Sequence, residues 1–189
     1  MHIRHATIDD LPRIMEIYAG ARSFMAATGN PNQWGPTNWP PEALIRQDIA
    51  RGNSYVCVSD AAEGVAPGAH ADANAGVGRV IGVFFFAFGP DIEPTYRVIT
   101  DGAWREDGPY GVVHRLAGDG SVPGIGTCCI TWAFNQCGHL RIDTHPDNRV
   151  MQGLLAKLGF VHCGTIHVEE DDYPRLAFEK IAPEQPVAR

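Results

Sequence analysis

Positive charge is scarce in this sequence. Lys and Arg number 15 against 22 Asp and Glu, giving a formal net charge of −7 and a pI near 5.5. That balance works against binding to nucleic-acid backbones or anionic lipid surfaces, both of which reward clustered cations. Long apolar runs are also missing. The longest, Val80–Phe88, is interrupted by Gly82 and falls short of the roughly 18 residues that suggest a membrane span. No apolar leader follows Met1-His2-Ile3-Arg4, so a cytoplasmic protein is expected. There is no Cys-x-x-Cys pair, and the five cysteines (57, 128, 129, 137 and 163) are odd in number; reduced, packing thiols are expected. No His, Asp or Cys spacing matches a metal site, and no internal repeat is visible. With 189 residues the chain can bury roughly 70% of its unfolded surface, so one domain needs neither disulfides nor a structural metal.

What is present is an alternation of strand and helix patterns. Ile3–Ala6 reads as a strand. Leu11, Ile14, Tyr18, Ala21 and Met25 then recur at helical spacing until Gly29, with Thr7 to Asp10 offering caps and Pro12 in the first turn. Pro41 opens a second helix through Leu44, Ile45 and Ile49. Ser54–Ser59, Arg79–Phe88 and Tyr110–Ala117 read as strands rich in Val, Tyr and Phe. A helix from Thr127 to Gln136, a strand at His139–Asp143 and a helix after Asn148 follow. Val150, Met151, Leu154, Leu155 and Leu158 give that last helix its apolar face, and two strands, Phe160–Glu169 and Arg175–Ile181, close the pattern. The order is β-α-α-β-β-β-α-β-α-β-β, an α/β fold over residues 1–181 in a single domain. Asp60–Gly78, almost all Ala, Gly, Asp and Glu, is expected to be a flexible insertion, and 182–189 a tail. Glu169–Asp172 reads as a solvated acidic turn.

Two features carry chemistry. The first is the glycine-rich segment Gly118–Gly126, which lies between a strand and a helix. Amides of a first helical turn converge there, and the helix dipole adds partial positive charge, so an anion is favoured. Neither the Lys-Ser/Thr pair of a P-loop nor the G-x-G-x-x-G dinucleotide fingerprint is present, which leaves coenzyme A as a leading candidate among pyrophosphate ligands. The second is a polar run, Asp143-Thr144-His145-Pro146-Asp147-Asn148, at the end of an apolar strand. His114, Asp143 and His145 are the candidate general bases.

Ser121-Val122-Pro123-Gly124-Ile125-Gly126 matches the glycines of the pyrophosphate motif of the GNAT superfamily of N-acetyltransferases, Gln/Arg-x-x-Gly-x-Gly/Ala. Asn148 opening a helix that ends Lys157-Leu158-Gly159-Phe160 matches a second motif, and Ile3-Arg4-His5-Ala6-Thr7 with Asp10, Leu11 and Ile14 resembles the family's opening. The resemblance runs from Ile3 to Lys180 and implies a mixed central β-sheet flanked by helices. It implies acetyl-CoA as co-substrate, held by Leu116 and Ala117 along the pantetheine, by amides of Val122, Gly124, Ile125, Gly126 and Thr127 at the pyrophosphate, and by Asn148. The implied activity is transfer of an acetyl group to a primary amine of a small molecule or peptide, by direct attack on the thioester. Three positions depart from the family pattern: Ser121 replaces Gln/Arg, Pro123 removes an amide, and Leu155 stands where many relatives carry a proton-donating Tyr. The alternatives are a non-catalytic acyl-CoA-binding sensor and an interaction protein. Trp34, Tyr96, Trp104 and Tyr110, which cluster in or beside long connections, are the candidate acceptor-binding rings. No nucleic acid, membrane or metal partner is expected, and a homodimer is left open.

Overall fold

A computed structural model describes residues 1–60, 78–169 and 172–183. Most of the insertion expected at 60–78 and of the tail expected at 182–189 lies outside the described residues, as do residues 170–171 of the acidic turn. The elements are β1 (His2–His5), α1 (Leu11–Ala27), α2 (Glu42–Ala50), β2 (Ser54–Val58), β3 (Val80–Gly89), β4 (Tyr110–Gly118), α3 (Ile125–Cys137), β5 (His139–Thr144), α4 (Arg149–Lys157), β6 (Val161–His167) and β7 (Pro174–Ile181). Their order is the one expected from the sequence. The seven strands form one mixed sheet in the order β1-β2-β3-β4-β5-β7-β6.

Contacts divide the chain into two compact units, Met1–Phe85 with Arg115–Ile130, and Phe86–His114 with Thr131–Arg189. In the first, β1, β2 and β3 pair antiparallel. Leu11, Ile14, Ile17 and Tyr18 of α1 pack with Val56, Val58 and Val83 in its core. The stripe buries because these positions recur on one helical face, and Thr28 ends the helix by donating to Phe24 and Met25 carbonyls. Gly82 is required by proximity: a Cβ there would stand 2.5 Å from Ile125 Cγ2, so α3 starts directly over β3 at that point.

In the second unit, β5 pairs parallel with β4 through Gly111↔Leu140 and Val112↔Arg141, and antiparallel with β7 along its whole length. The β4 strand runs on through Val113 and His114, and β5 through Thr144, beyond those parallel register pairs. Asn148 caps α4, its Oδ1 accepting the Met151 amide at 3.0 Å. The apolar face of α4 is narrower than expected. Leu155 is fully buried but Val150 is 57% exposed, because Val150 lies about 140° around the helix from Leu155 at about 100° per residue. All five cysteines are free thiols, with Cys57, Cys129 and Cys163 buried.

Candidate functional site

In the first unit, β4 ends at Gly118 and the chain turns through Asp119–Gly124 into α3. Asp119 organises this turn. Its amide donates to the Ile81 carbonyl at 2.9 Å, and its carboxylate accepts the Ser121 amide at 2.9 Å and the Ser121 hydroxyl at 2.6 Å. Arg13 donates to the same carboxylate at 2.6 Å, and Arg79 donates to it as well. Burial alone would raise this carboxyl, yet the Ser121 donors and the Arg79 guanidinium hold it below the usual carboxylate range. Ser121, which departs from the family motif, thus shapes the turn. The first intrahelical bond of α3 runs from the Cys128 amide to the Gly124 carbonyl at 2.9 Å. The amides of Gly124, Ile125, Gly126 and Thr127 therefore precede the helical ladder, and an anion can take them. Gly124 has φ +88° with nothing within 4 Å of where a Cβ would stand, so it is a glycine for its backbone and leaves open space beside it. The helix starts two residues before Thr127, the expected first residue, which puts Gly126 in its first turn. A cavity of about 310 Å³ opens beside this turn, lined by residues that include Arg13, Glu16, Phe24, Arg79 and Gly118–Gly120.

Just before Leu116 and Ala117, Arg115 adopts φ +53°, the left-handed region, within a strand. Such a residue needs support from its surroundings. Tyr18 supplies one part, its hydroxyl donating to the Arg115 carbonyl at 3.0 Å. Asp48 supplies another, pairing with the guanidinium at 2.7 Å, while Phe85 lies 4.7 Å beneath it. Nothing in the spacing of the sequence marks this backbone. Trp34, an expected acceptor-binding ring, packs against the core and meets Tyr18 edge-on at 5.8 Å.

In the second unit, His114 lies between two carboxylates. Its Nε2 is 3.0 Å from Glu93 Oε2 and its Nδ1 is 3.7 Å from Asp143 Oδ1. Burial works against the charge on Glu93, but the His114 bond and the Thr95 donors bring its carboxyl down to about 2. An ionised carboxylate only accepts, so the neutral His114 ring carries its proton on Nε2 and presents Nδ1 as the basic nitrogen. Tyr96, 1% exposed, donates its hydroxyl to Asp143 Oδ1 at 2.7 Å. Burial and the Asp143 charge push that phenol far above its ordinary range, so it remains a donor. Trp104 Nε1 donates to the Tyr96 carbonyl at 2.8 Å, and the Tyr110 ring stacks on Tyr96 at 6.2 Å.

The structure thus brings together His114, Asp143, Tyr96, Trp104 and Tyr110 of the sequence candidates. His145 is placed differently. Only 2% exposed, it accepts the Asp147 amide on Nδ1 at 3.1 Å and packs edge-on against Tyr173, which orders the turn before Asn148. Glu93, which pairs with His114, is the member of this cluster that sequence reasoning missed; a lone Glu before Pro94 in a connection full of acids carries no spacing signal. Among the described residues, no group of three His, Cys, Asp or Glu side chains is arranged to hold a metal ion, and no helix is long and apolar enough to cross a membrane.

No protein-family model matches the sequence, and no curated protein matches it. Solved structures do. An acetyltransferase of the GNAT family from Streptococcus agalactiae aligns with TM-score 0.79 at 27% identity, covering 97% of this chain and 96% of its own. A GNAT-family acetyltransferase from Listeria monocytogenes aligns with TM-score 0.63 at 15% identity over 95% and 94% of the two chains. Arabidopsis thaliana NAA60, solved in complex with acetyl-CoA, aligns with TM-score 0.63 at 13% identity over 95% and 97%.

Proposed function

We propose that this chain, which belongs by its fold to the GNAT superfamily of acetyltransferases, moves an acetyl group from acetyl-CoA to the primary amine of a small molecule or peptide. The likeness to the streptococcal enzyme supports acetyl transfer. The amine acceptor is the finer reading, and one observation supports it: His114 on β4 lies between the carboxylates of Glu93 and Asp143. A protonated amine must lose a proton before it can attack, and this assembly can take it.

The residues present fit acetyl-CoA. Four successive amides at the start of α3 suit the two negative phosphates, and the open space beside Gly124 lets them approach the backbone. Bound acetyl-CoA supplies the reactive thioester. Leu116 and Ala117 are assigned to the acetyl and pantetheine end, where a backbone amide would polarise the carbonyl. Val122 joins the pyrophosphate turn, and Asn148 is assigned to the pantetheine arm. His114 Nδ1 takes the proton of the attacking amine. Glu93 fixes the ring's tautomer and Asp143 faces the imidazolium that results, so the new charge is balanced on both sides. Leu155 is buried and supplies no proton, but a coenzyme A thiolate leaves acceptably without one.

Thiol release from acetyl-CoA is the test, run across amines, amino acids, polyamines, aminoglycosides and peptide N-termini. The expected result is amine-dependent release, with His114→Ala lowering kcat by about 10²–10⁴. Saturable coenzyme A binding with no release across the panel would make the protein a sensor. No binding at all would leave an interaction protein.

A further inference from the structure

The second unit contains a buried charged cluster that the reaction just described does not use. Glu179 on β7 is completely buried. Its Oε1 takes His139 Nε2 at 2.8 Å and Arg141 Nε at 2.9 Å, and its Oε2 takes the Arg105 amide at 2.6 Å. Burial alone would raise this carboxyl, yet the His139 and Arg141 bonds hold it below the usual carboxylate range. Arg141 and Glu179 stand directly opposite one another in the β5–β7 register. The same guanidinium donates to the Glu106 carbonyl at 2.6 Å and lies 4.4 Å from the Trp104 ring centre and 4.1 Å from that of Tyr110. His139 Nδ1 meets the Pro109 carbonyl at 3.1 Å.

These contacts share a geometry. Alternate side chains of a strand face one way, so His139, Arg141 and Asp143 line one face of β5. All three face the connection between β3 and β4. His139 and Arg141 grip its later half at Trp104, Glu106 and Pro109, Arg141 also lies over Tyr110 at the start of β4, and Asp143 grips Tyr96. From Arg141 the linkage is continuous: the guanidinium stacks on Trp104, Trp104 donates to the Tyr96 carbonyl, and Tyr96 donates to the carboxylate that faces His114. Glu93, the other carboxylate at His114, lies at the start of the same connection.

We propose that Arg141, anchored by Glu179, is a positioning residue for the proton-accepting step: it fixes the 93–109 connection so that Glu93 and Asp143 bracket His114. The inference rests on acetyl transfer with His114 as base. Among the described residues, the charged and titratable groups that meet His114 include Glu93 and Tyr96 from the connection and Asp143 from β5, with Arg175 of β7 reaching Asp143 at 3.9 Å. A shift of the connection changes the first two and leaves Arg175 in place.

Arg141→Lys is the central variant, because it keeps a positive charge but loses the planar fork and the stacking surface. It is expected to lower kcat on the order of 10²-fold, as small misplacements of catalytic groups do, with the KM for acetyl-CoA unchanged. The acidic limb of the pH–rate profile moves with it. The imidazole titration of His114, followed by NMR in the full-length chain, moves in parallel. Trp104→Phe, which keeps a ring over Arg141 but removes the donor to Tyr96, moves the same two readouts in the same direction by less. A folded Arg141→Lys protein with wild-type kcat and wild-type His114 titration overturns the proposal. If Arg141→Lys does not fold, an unchanged titration and kcat in Trp104→Phe overturns it instead. Should the wild-type protein release no thiol with any amine, the reaction reading fails and the titration alone decides the positioning claim.

Discussion

Glu93 and His114 depend on each other. The imidazole keeps the carboxyl ionised, and the carboxylate keeps the ring proton on Nε2. Glu93→Gln removes the ionised acceptor at Nε2, so the ring's tautomer is no longer fixed and kcat for thiol release is expected to fall while the KM for acetyl-CoA holds. Steady-state thiol release in this variant checks it; an unchanged kcat would show that Glu93 does not serve the ring. Gly124 gives a second test at this scale. Its φ of +88° disfavours any side chain although the space is open, so Gly124→Ala is expected to destabilise by roughly 1–2 kcal/mol. It is also expected to weaken coenzyme A binding, since the strained turn moves the amides that follow it. Calorimetric titration beside a denaturant curve separates the two effects.

Elements were legible wherever a local period encoded them. The α1 stripe, the β-rich runs and the glycine turn each repeat or punctuate within a few residues, and the element order followed from them. Side-chain partners were not. In β5 the sequence His139-Leu140-Arg141-Ile142-Asp143-Thr144 announces a strand, but nothing in it tells that His139 and Arg141 share Glu179, some 40 residues on by. The same holds in β4. Arg115 interrupts an extended strand with a left-handed residue, and its support comes from Tyr18 on α1 and Asp48 on α2, both far away in sequence. Asp48→Ala leaves a guanidinium whose side chain is only 12% exposed without its carboxylate. A loss of about 3–5 kcal/mol in unfolding free energy is expected, the usual effect of removing one partner of a buried pair. If the pair mainly supports β4, Asp48→Ala also lowers acetyl transfer, measured as kcat/KM at a temperature where the variant is folded.

Across the whole molecule, two predictions follow from how the ends of elements and the buried acids are held. Ser59 donates from both its amide, at 2.9 Å, and its hydroxyl, at 3.2 Å, to the Arg79 carbonyl, so the chain ends flanking residues 61–77 face each other across the β2–β3 hairpin. Replacing 61–77 by a short Gly-containing turn is expected to keep thiol release and Tm, because closure entropy changes by only about 0.6 kcal/mol per doubling of loop length. Acid sensitivity follows from the shielded carboxylates whose folded values lie below their ordinary ones, among them Asp10 beside Arg4, Glu93 beside His114, Asp119 beside Ser121 and Arg79, and Glu179 beside His139 and Arg141. Each binds its proton more readily in the unfolded chain. Their stabilisation is therefore complete above the unfolded range near pH 4–4.5, and is lost as pH falls through the folded values. Tm is expected to be flat in this respect above about pH 5 and to drop steeply below it. Glu93→Gln removes one titrating group whose folded value is about 2, so its curve should drop less steeply between pH 4.5 and 2 than the wild type. Identical slopes in the two proteins would mean that the His114–Glu93 pair contributes nothing to folding and that the acid drop belongs to other carboxylates.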